Sequence, residues 1–167
     1  GRNENRGHGV AAAIEKLGAM PLFVRASLEK IEDVQAIVPA CEKKFGRLDG
    51  LVNAAGLSTR GNIDDTTVEL WDTLFDVNVR APVELTGRLW DELKARGGMV
   101  ATVASLAGFQ PTPLMTTYAA TKSFMLDWSV ALDAEAQRHG IRCVAICPGP
   151  VSTNFSKAAG FASSTGL

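Results

Sequence analysis

Charge of one sign is what this sequence has least of. Seventeen Lys and Arg stand against eighteen Asp and Glu, a formal net charge of −1. That balance gives no general electrostatic reason to expect nucleic acid or an anionic membrane as partner. Long apolar runs are missing as well: no stretch approaches the roughly 20 residues that a membrane helix needs. Cysteine is scarce, with Cys41, Cys143 and Cys147 making an odd number without a disulfide pattern. Cys143 and Cys147 fall in one predicted strand, where their separation spans about 13 Å, too far to bridge. All three are expected to be reduced, as small buried hydrophobes of a cytoplasmic protein. The two histidines, His8 and His139, form no ligand pattern with these cysteines, so no metal site is expected. No signal-peptide pattern is visible at Gly1, and the chain does not open on methionine, so it reads as a fragment.

What remains is an ordinary globular composition. Apolar residues make up 46% and charged residues 21% of 167, enough for one domain with a real core. No internal repeat or low-complexity linker divides it, so residues 1–167 are expected to form a single domain. Helical spacing is predicted over 4–17, 29–46, 66–98 and 113–138. Gly18, Gly46 and Gly140 serve as stops. Pro82 marks a bend, or the point where one helix hands over to the next. Apolar strands are predicted at 21–26, 48–56, 98–108 and 141–151, and the Ser/Ala/Gly-rich 152–167 is expected to be a loop. Wholly apolar strands alternating with helices predict an α/β fold, a doubly wound parallel sheet with helices on both faces. Such sheets bind ligands beyond the carboxyl ends of their strands.

The informative residues cluster at those ends. In "TYAATK", Tyr118 and Lys122 are one helical turn apart and leave one face. A free tyrosine, with a pKa near 10, is a poor base at neutral pH. A nearby lysine cation favours the phenolate and is expected to lower that value. A tuned tyrosine passes a proton to or from an alcohol or carbonyl oxygen. Taken alone, most Tyr-x-x-x-Lys pairs are a half-buried tyrosine and a solvated lysine. Ser105 ends a predicted strand, Asn78 is a polar amide in the apolar "DVNV", Asn53 opens "NAAG", and Pro148-Gly149 follows the last strand. Each has a plain reading as a turn, a cap or a surface amide. Their joint occurrence at successive strand ends is not a plausible accident.

Four stretches, "VNAAG" 52–56, "DVNV" 76–79, "VASLAG...YAATK" 103–122 and "CPGPVST" 147–153, resemble the short-chain dehydrogenase/reductase family. The resemblance covers nearly the whole chain and implies a Rossmann-type fold and alcohol–carbonyl interconversion with NAD(P). It implies Tyr118 as general acid/base and Ser105 as the group that grips the substrate oxygen. Lys122 would lower the Tyr118 pKa and hold the nicotinamide ribose. Asn78 would anchor a water that relays protons to Lys122. Asn53, Ala54, Ala55 and Gly56 would lie along the cofactor, with Pro148, Gly149, Val151 and Thr153 around the nicotinamide. Ser27 and Leu28 would lie near the adenine.

The chain also departs from that family. It lacks the glycine-rich turn that presents backbone N–H groups to the pyrophosphate. Arg2 would face the adenosine ribose, where an arginine suits a 2′-phosphate, so NADP is favoured over NAD. Ser27 replaces a usual aspartate, and Ala54 a common asparagine. In the family's sheet order 3-2-1-4-5-6-7, this chain would supply strands 3 to 6 only, leaving strand 3 apart from the others. The chain is therefore expected to be truncated at both ends. A homodimer or homotetramer is implied, through the helices at 66–95 and 113–138. The substrate is expected to be a small carbonyl or alcohol, with Phe109, Leu114 and Met115 suggesting an apolar pocket. Two other readings stand beside this one: a non-catalytic dinucleotide- or partner-binding relative, and a sugar-nucleotide epimerase or dehydratase on the extended scaffold.

Overall fold

The structure, a computed structural model, describes residues 1–150. Helix α1 spans Glu4–Lys16, and Asn3 caps it by accepting from the Arg6 N–H at 2.9 Å. It buries none of its residues and leans on Phe23, whose ring stands edge-on to His8. The predicted strand 21–26 is extended but joins no ladder. A strand requires a neighbour, and among the described residues the only backbone offered here is Gly1. Its amine donates to Val24 O at 3.2 Å, and its carbonyl accepts from the Ala26 N–H at 3.1 Å. Those two bonds flank Arg25 in the pattern of a parallel pair, one residue long.

Helix α2, Ile31–Phe45, ends where Gly46 turns left-handed with φ 73°. The strand β1 is Gly50–Asn53. The predicted helix 66–98 is a near-continuous rod in three parts: α3 (Val68–Phe75), a wide turn (Asp76–Arg80) and α4 (Ala81–Arg96). In the wide turn the Ala81 N–H reaches back five residues to Asp76 O. Pro82 follows at the second position of α4. It has no N–H to give to the turn beneath it, and the hydrogen-bond register changes there. Then come β2 (Met99–Val103), α5 (Thr116–Ala136) and β3 (Arg142–Ile146). Each strand is shorter than its apolar run, because the small residues that follow it turn away into loops.

The three strands are parallel and lie in chain order, with Asn53 level with Thr102, and Thr102 level with Ala145. Val100 and Cys143 face Val34 and Val38 of α2 and Leu85, Leu89 and Leu93 of α4, joined by Ala136 of α5. These residues form the main core. On the opposite sheet face Val52 is 62% and Ile146 49% exposed. The carboxyl ends of β1, β2 and β3 come out side by side, and the start of α5 lies beside the turn that follows β2. No helix of the described residues is long and apolar enough to cross a membrane.

Candidate active site

Tyr118 and Lys122 leave α5 one turn apart and are both buried, at 6% and 5% exposure. The Lys122 Nζ donates to the carbonyl of Val103, the last residue of β2, at 2.9 Å. It stands 5.8 Å from the centre of the Tyr118 ring. Opposite it lies Gly56, in the loop after β1. A β-carbon there would come within 3.4 Å of Nζ and 3.5 Å of the Asn78 Oδ1, so the glycine keeps this side of the ammonium open. Ser105 begins the single 3-10 turn Leu106–Gly108 and accepts from the Ala107 N–H at 3.2 Å.

The electrostatics correct one expectation. Burial pushes the Tyr118 phenol above its ordinary value, and a hydrogen bond with Ser105 offsets part of the rise. Lys122 was expected to pull the phenol down. Burial instead lowers Lys122 itself to about 8, with the Cys147 sulfur acting the other way. Withdrawal from water disfavours both charged forms and is the larger cause of each shift.

Asn78 sits in the wide turn and is 2% exposed. Its Oδ1 accepts from the Leu57 N–H at 2.8 Å, and its Nδ2 donates to Leu57 O at 2.9 Å and to Thr121 Oγ1 at 3.1 Å. Both amide hydrogens are thus spent within the protein. The amide ties the loop after β1 to α5, and the Thr121 hydroxyl carries the link on to Tyr118 O at 2.7 Å. Thr121 was missed in the sequence, although it lies inside the motif. Its signal was a hydroxyl in a helix that buries its neighbours. The Val103 carbonyl carried no signal, being backbone.

The other expected site residues fall into three groups. Pro148 O accepts from the Leu106 N–H at 3.1 Å, and Gly149 abuts the Leu106 side chain, so the loop after β3 meets the Ser105 turn. Ala54 and Ala55 are exposed at the end of β1. The Asn53 side chain is buried and points to Thr86 of α4, 3.4 Å away, which makes it a tie within the core. Arg2 pairs with Glu29 at 2.8 Å, on the surface. The Ser27 N–H donates to Asp33, and Leu28 packs against the main core. Val151 and Thr153, with the loop expected at 152–167, lie outside the described residues. The three cysteines are free thiols.

The short chain dehydrogenase family matches residues 1–162. This chain belongs to that family. An uncharacterized oxidoreductase of Staphylococcus epidermidis is 33% identical over 96% of this chain and 69% of its own length. A 3-ketoacyl-(acyl-carrier-protein) reductase from Brucella melitensis, solved with NADH, is 31% identical with a TM-score of 0.86, over 94% of this chain and 66% of that one. A short-chain dehydrogenase from Sphingobium yanoikuyae, solved with NADPH, is 27% identical with a TM-score of 0.90, over 97% of this chain and 64% of that one. The chain therefore spans about two thirds of the length of these relatives. Its architecture is the Rossmann-type α/β fold they share.

Among the described residues, Lys122 has two ammonium hydrogens left after its bond to Val103. They sit at the strand ends behind a glycine that leaves room. That donor set fits the ribose hydroxyls of a nicotinamide dinucleotide.

Proposed function

We propose that this short-chain dehydrogenase reduces a carbonyl to an alcohol with NADPH. The observation that carries the reading is the meeting, at the end of β2, of Ser105 on the turn after that strand with Tyr118 and Lys122 of α5. The cofactor, when bound, supplies the hydride. Tyr118 gives its phenolic proton to the substrate oxygen, and Ser105 donates a hydrogen bond that steadies the charge developing there. The phenol keeps its proton at neutral pH, which leaves Tyr118 as the acid in the reducing direction. Lys122 holds the ribose, and Asn78 holds the loop of Gly56 and Leu57 against α5. Ala54, Ala55, Gly56, Pro148, Gly149, Val151 and Thr153 line the cofactor, with Asn53 supporting them from below. Arg2 meets the 2′-phosphate, with Ser27 and Leu28 beside the adenine.

The substrate is a small ketone on an apolar skeleton, since Leu106, Phe109 and Leu114 stand exposed around the Ser105 turn and the start of α5. The protein pairs with copies of itself through α3, α4 and α5, whose exposed apolar residues include Val68, Trp71, Phe124 and Val130. Tyr118→Phe tests the reading. Turnover with NADPH and a ketone panel should vanish, while nicotinamide fluorescence still reports binding. Retained turnover in this variant would refute the role of Tyr118.

A further inference from the structure

The turn that carries Ser105 touches α5 at a point where no side chain intervenes. A β-carbon built on Gly108 would stand 2.9 Å from the Lys122 carbonyl oxygen, 3.0 Å from its carbonyl carbon and 3.2 Å from the Ser123 nitrogen. These neighbours are helix backbone, which no rotamer change moves aside. The approach is also fastened, because Ser123 Oγ donates to Gly108 O at 2.9 Å. The Gly108 N–H donates to Ser105 O at 3.0 Å, so the same residue closes the turn that presents Ser105. Backbone conformation does not demand a glycine here: among the described residues the left-handed glycines are Gly18, Gly46, Gly97 and Gly140. Space alone demands it.

We propose that Gly108 is a positioning residue, whose missing side chain sets the separation between Ser105 and the Tyr118–Lys122 face of α5. The inference rests on the oxidoreductase reading above. Adding a β-carbon forces the turn away from the helix by some tenths of an ångström. The turn is held on its far side by the bond from Leu106 to Pro148, so it tilts rather than slides. Ser105 then no longer meets the substrate oxygen together with Tyr118.

The test is a cycle of Gly108→Ala, Ser105→Ala and the double variant, measured for kcat, KM and NADPH affinity. Gly108→Ala should lower kcat by roughly 10-fold to 100-fold, the scale of a small misplacement of a reacting group, with NADPH affinity kept within about twofold. Acting through Ser105, it should cost less than about threefold more in the Ser105→Ala background. Losses that multiply, or a wild-type kcat in Gly108→Ala, overturn the proposal. If Gly108→Ala does not fold, Ser123→Ala decides, since it removes the hydrogen bond and adds no bulk. A several-fold fall in kcat that disappears in the Ser105→Ala background supports the role, and an unchanged kcat overturns it. Wild-type protein that binds NADPH and turns over no ketone sinks the oxidoreductase reading itself. Wild-type turnover with an unaffected Gly108→Ala sinks the positioning role alone.

Discussion

The Lys122 ammonium stands 5.8 Å from the centre of the Tyr118 ring, and both residues are buried. Burial draws their proton equilibria toward each other, with the amine falling to about 8 and the phenol rising. At neutral pH the phenol keeps its proton and the amine keeps most of its charge. The buried charge of the amine destabilises the fold.

That cost is measurable. Below pH 8 the amine is protonated both folded and unfolded, and the burial penalty, roughly 3 kcal/mol for a fall from 10.5 to about 8, is present in full. Between about pH 8 and 10.5 the unfolded chain holds the proton that the folded chain has dropped, so this contribution makes stability rise with pH. Cys143, pushed to about 11, and Tyr118 act in the opposite sense at higher pH. The clean quantity is therefore the difference between wild type and Lys122→Met in urea denaturation. Lys122→Met should be the more stable at pH 7, by less than the full penalty because Val103 O loses its donor. The gap should close as pH rises toward 10. A gap that does not change with pH contradicts the burial of a charged amine.

Asn78 and Thr121 join the loop after β1 to the backbone of Tyr118. Asn78→Ala strands the Leu57 N–H and C=O together, a loss of about 2 kcal/mol or more in denaturant midpoint experiments. Thr121→Val removes a hydroxyl that both accepts and donates while keeping its shape, and should cost about 1–2 kcal/mol. Thr121→Ser should recover most of that loss and of the kcat that falls with it. Equal stability in the Val and Ser variants would mean that the hydroxyl carries no such link.

Much of this site was readable as spacing. Tyr118 and Lys122 do share a helix face, and Ser105 does follow a strand. The apolar rhythm and Gly140 located α5 to within a few residues. What spacing does not report is water: it placed an amine near a phenol and gave no sign that burial would dominate both proton equilibria. Nor does it report neighbours. Residues 21–26 have the composition of a strand, yet pairing depends on the backbone alongside. Asn78 stood out as an amide among apolar residues, while the wide turn around it was marked only by Pro82. The Val103 carbonyl and the bare approach of Gly108 to α5 belong to backbone atoms, which residue identity does not announce.

Glu29 holds the one residue proposed to select NADP. Its carboxylate pairs with Arg2 at 2.8 Å, on a surface where both side chains are at least one third exposed. A 2′-phosphate has to compete with that carboxylate for the guanidinium. Glu29→Gln removes the competitor and should tighten NADPH binding by several-fold without changing NADH. Arg2→Ala should weaken NADPH alone, by about 1–2 kcal/mol for a lost charged hydrogen bond. Fluorescence titrations with both cofactors read the two effects. Parallel shifts for NADH and NADPH would remove Arg2 from any role in selection.

Leu114 takes a conformation that leucine avoids, with φ 64°, four residues before Tyr118. Its carbonyl accepts from the Gly61 N–H at 2.9 Å, which ties the loop after β1 to the approach of α5. A side chain with a β-carbon costs about 1–2 kcal/mol in the left-handed region. Glycine relieves that strain but gives roughly 0.5–1 kcal/mol back through the freedom it adds to the unfolded chain. Leu114→Gly should therefore be no less stable than wild type and at most about 1.5 kcal/mol more stable, the difference between the two effects. Leu114→Val places a branched β-carbon in the same geometry, where such residues are true outliers. It should lose more than about 1 kcal/mol. The contrast between the two variants is the test. Valine tolerated as well as glycine would mean that the chain does not hold Leu114 left-handed in solution.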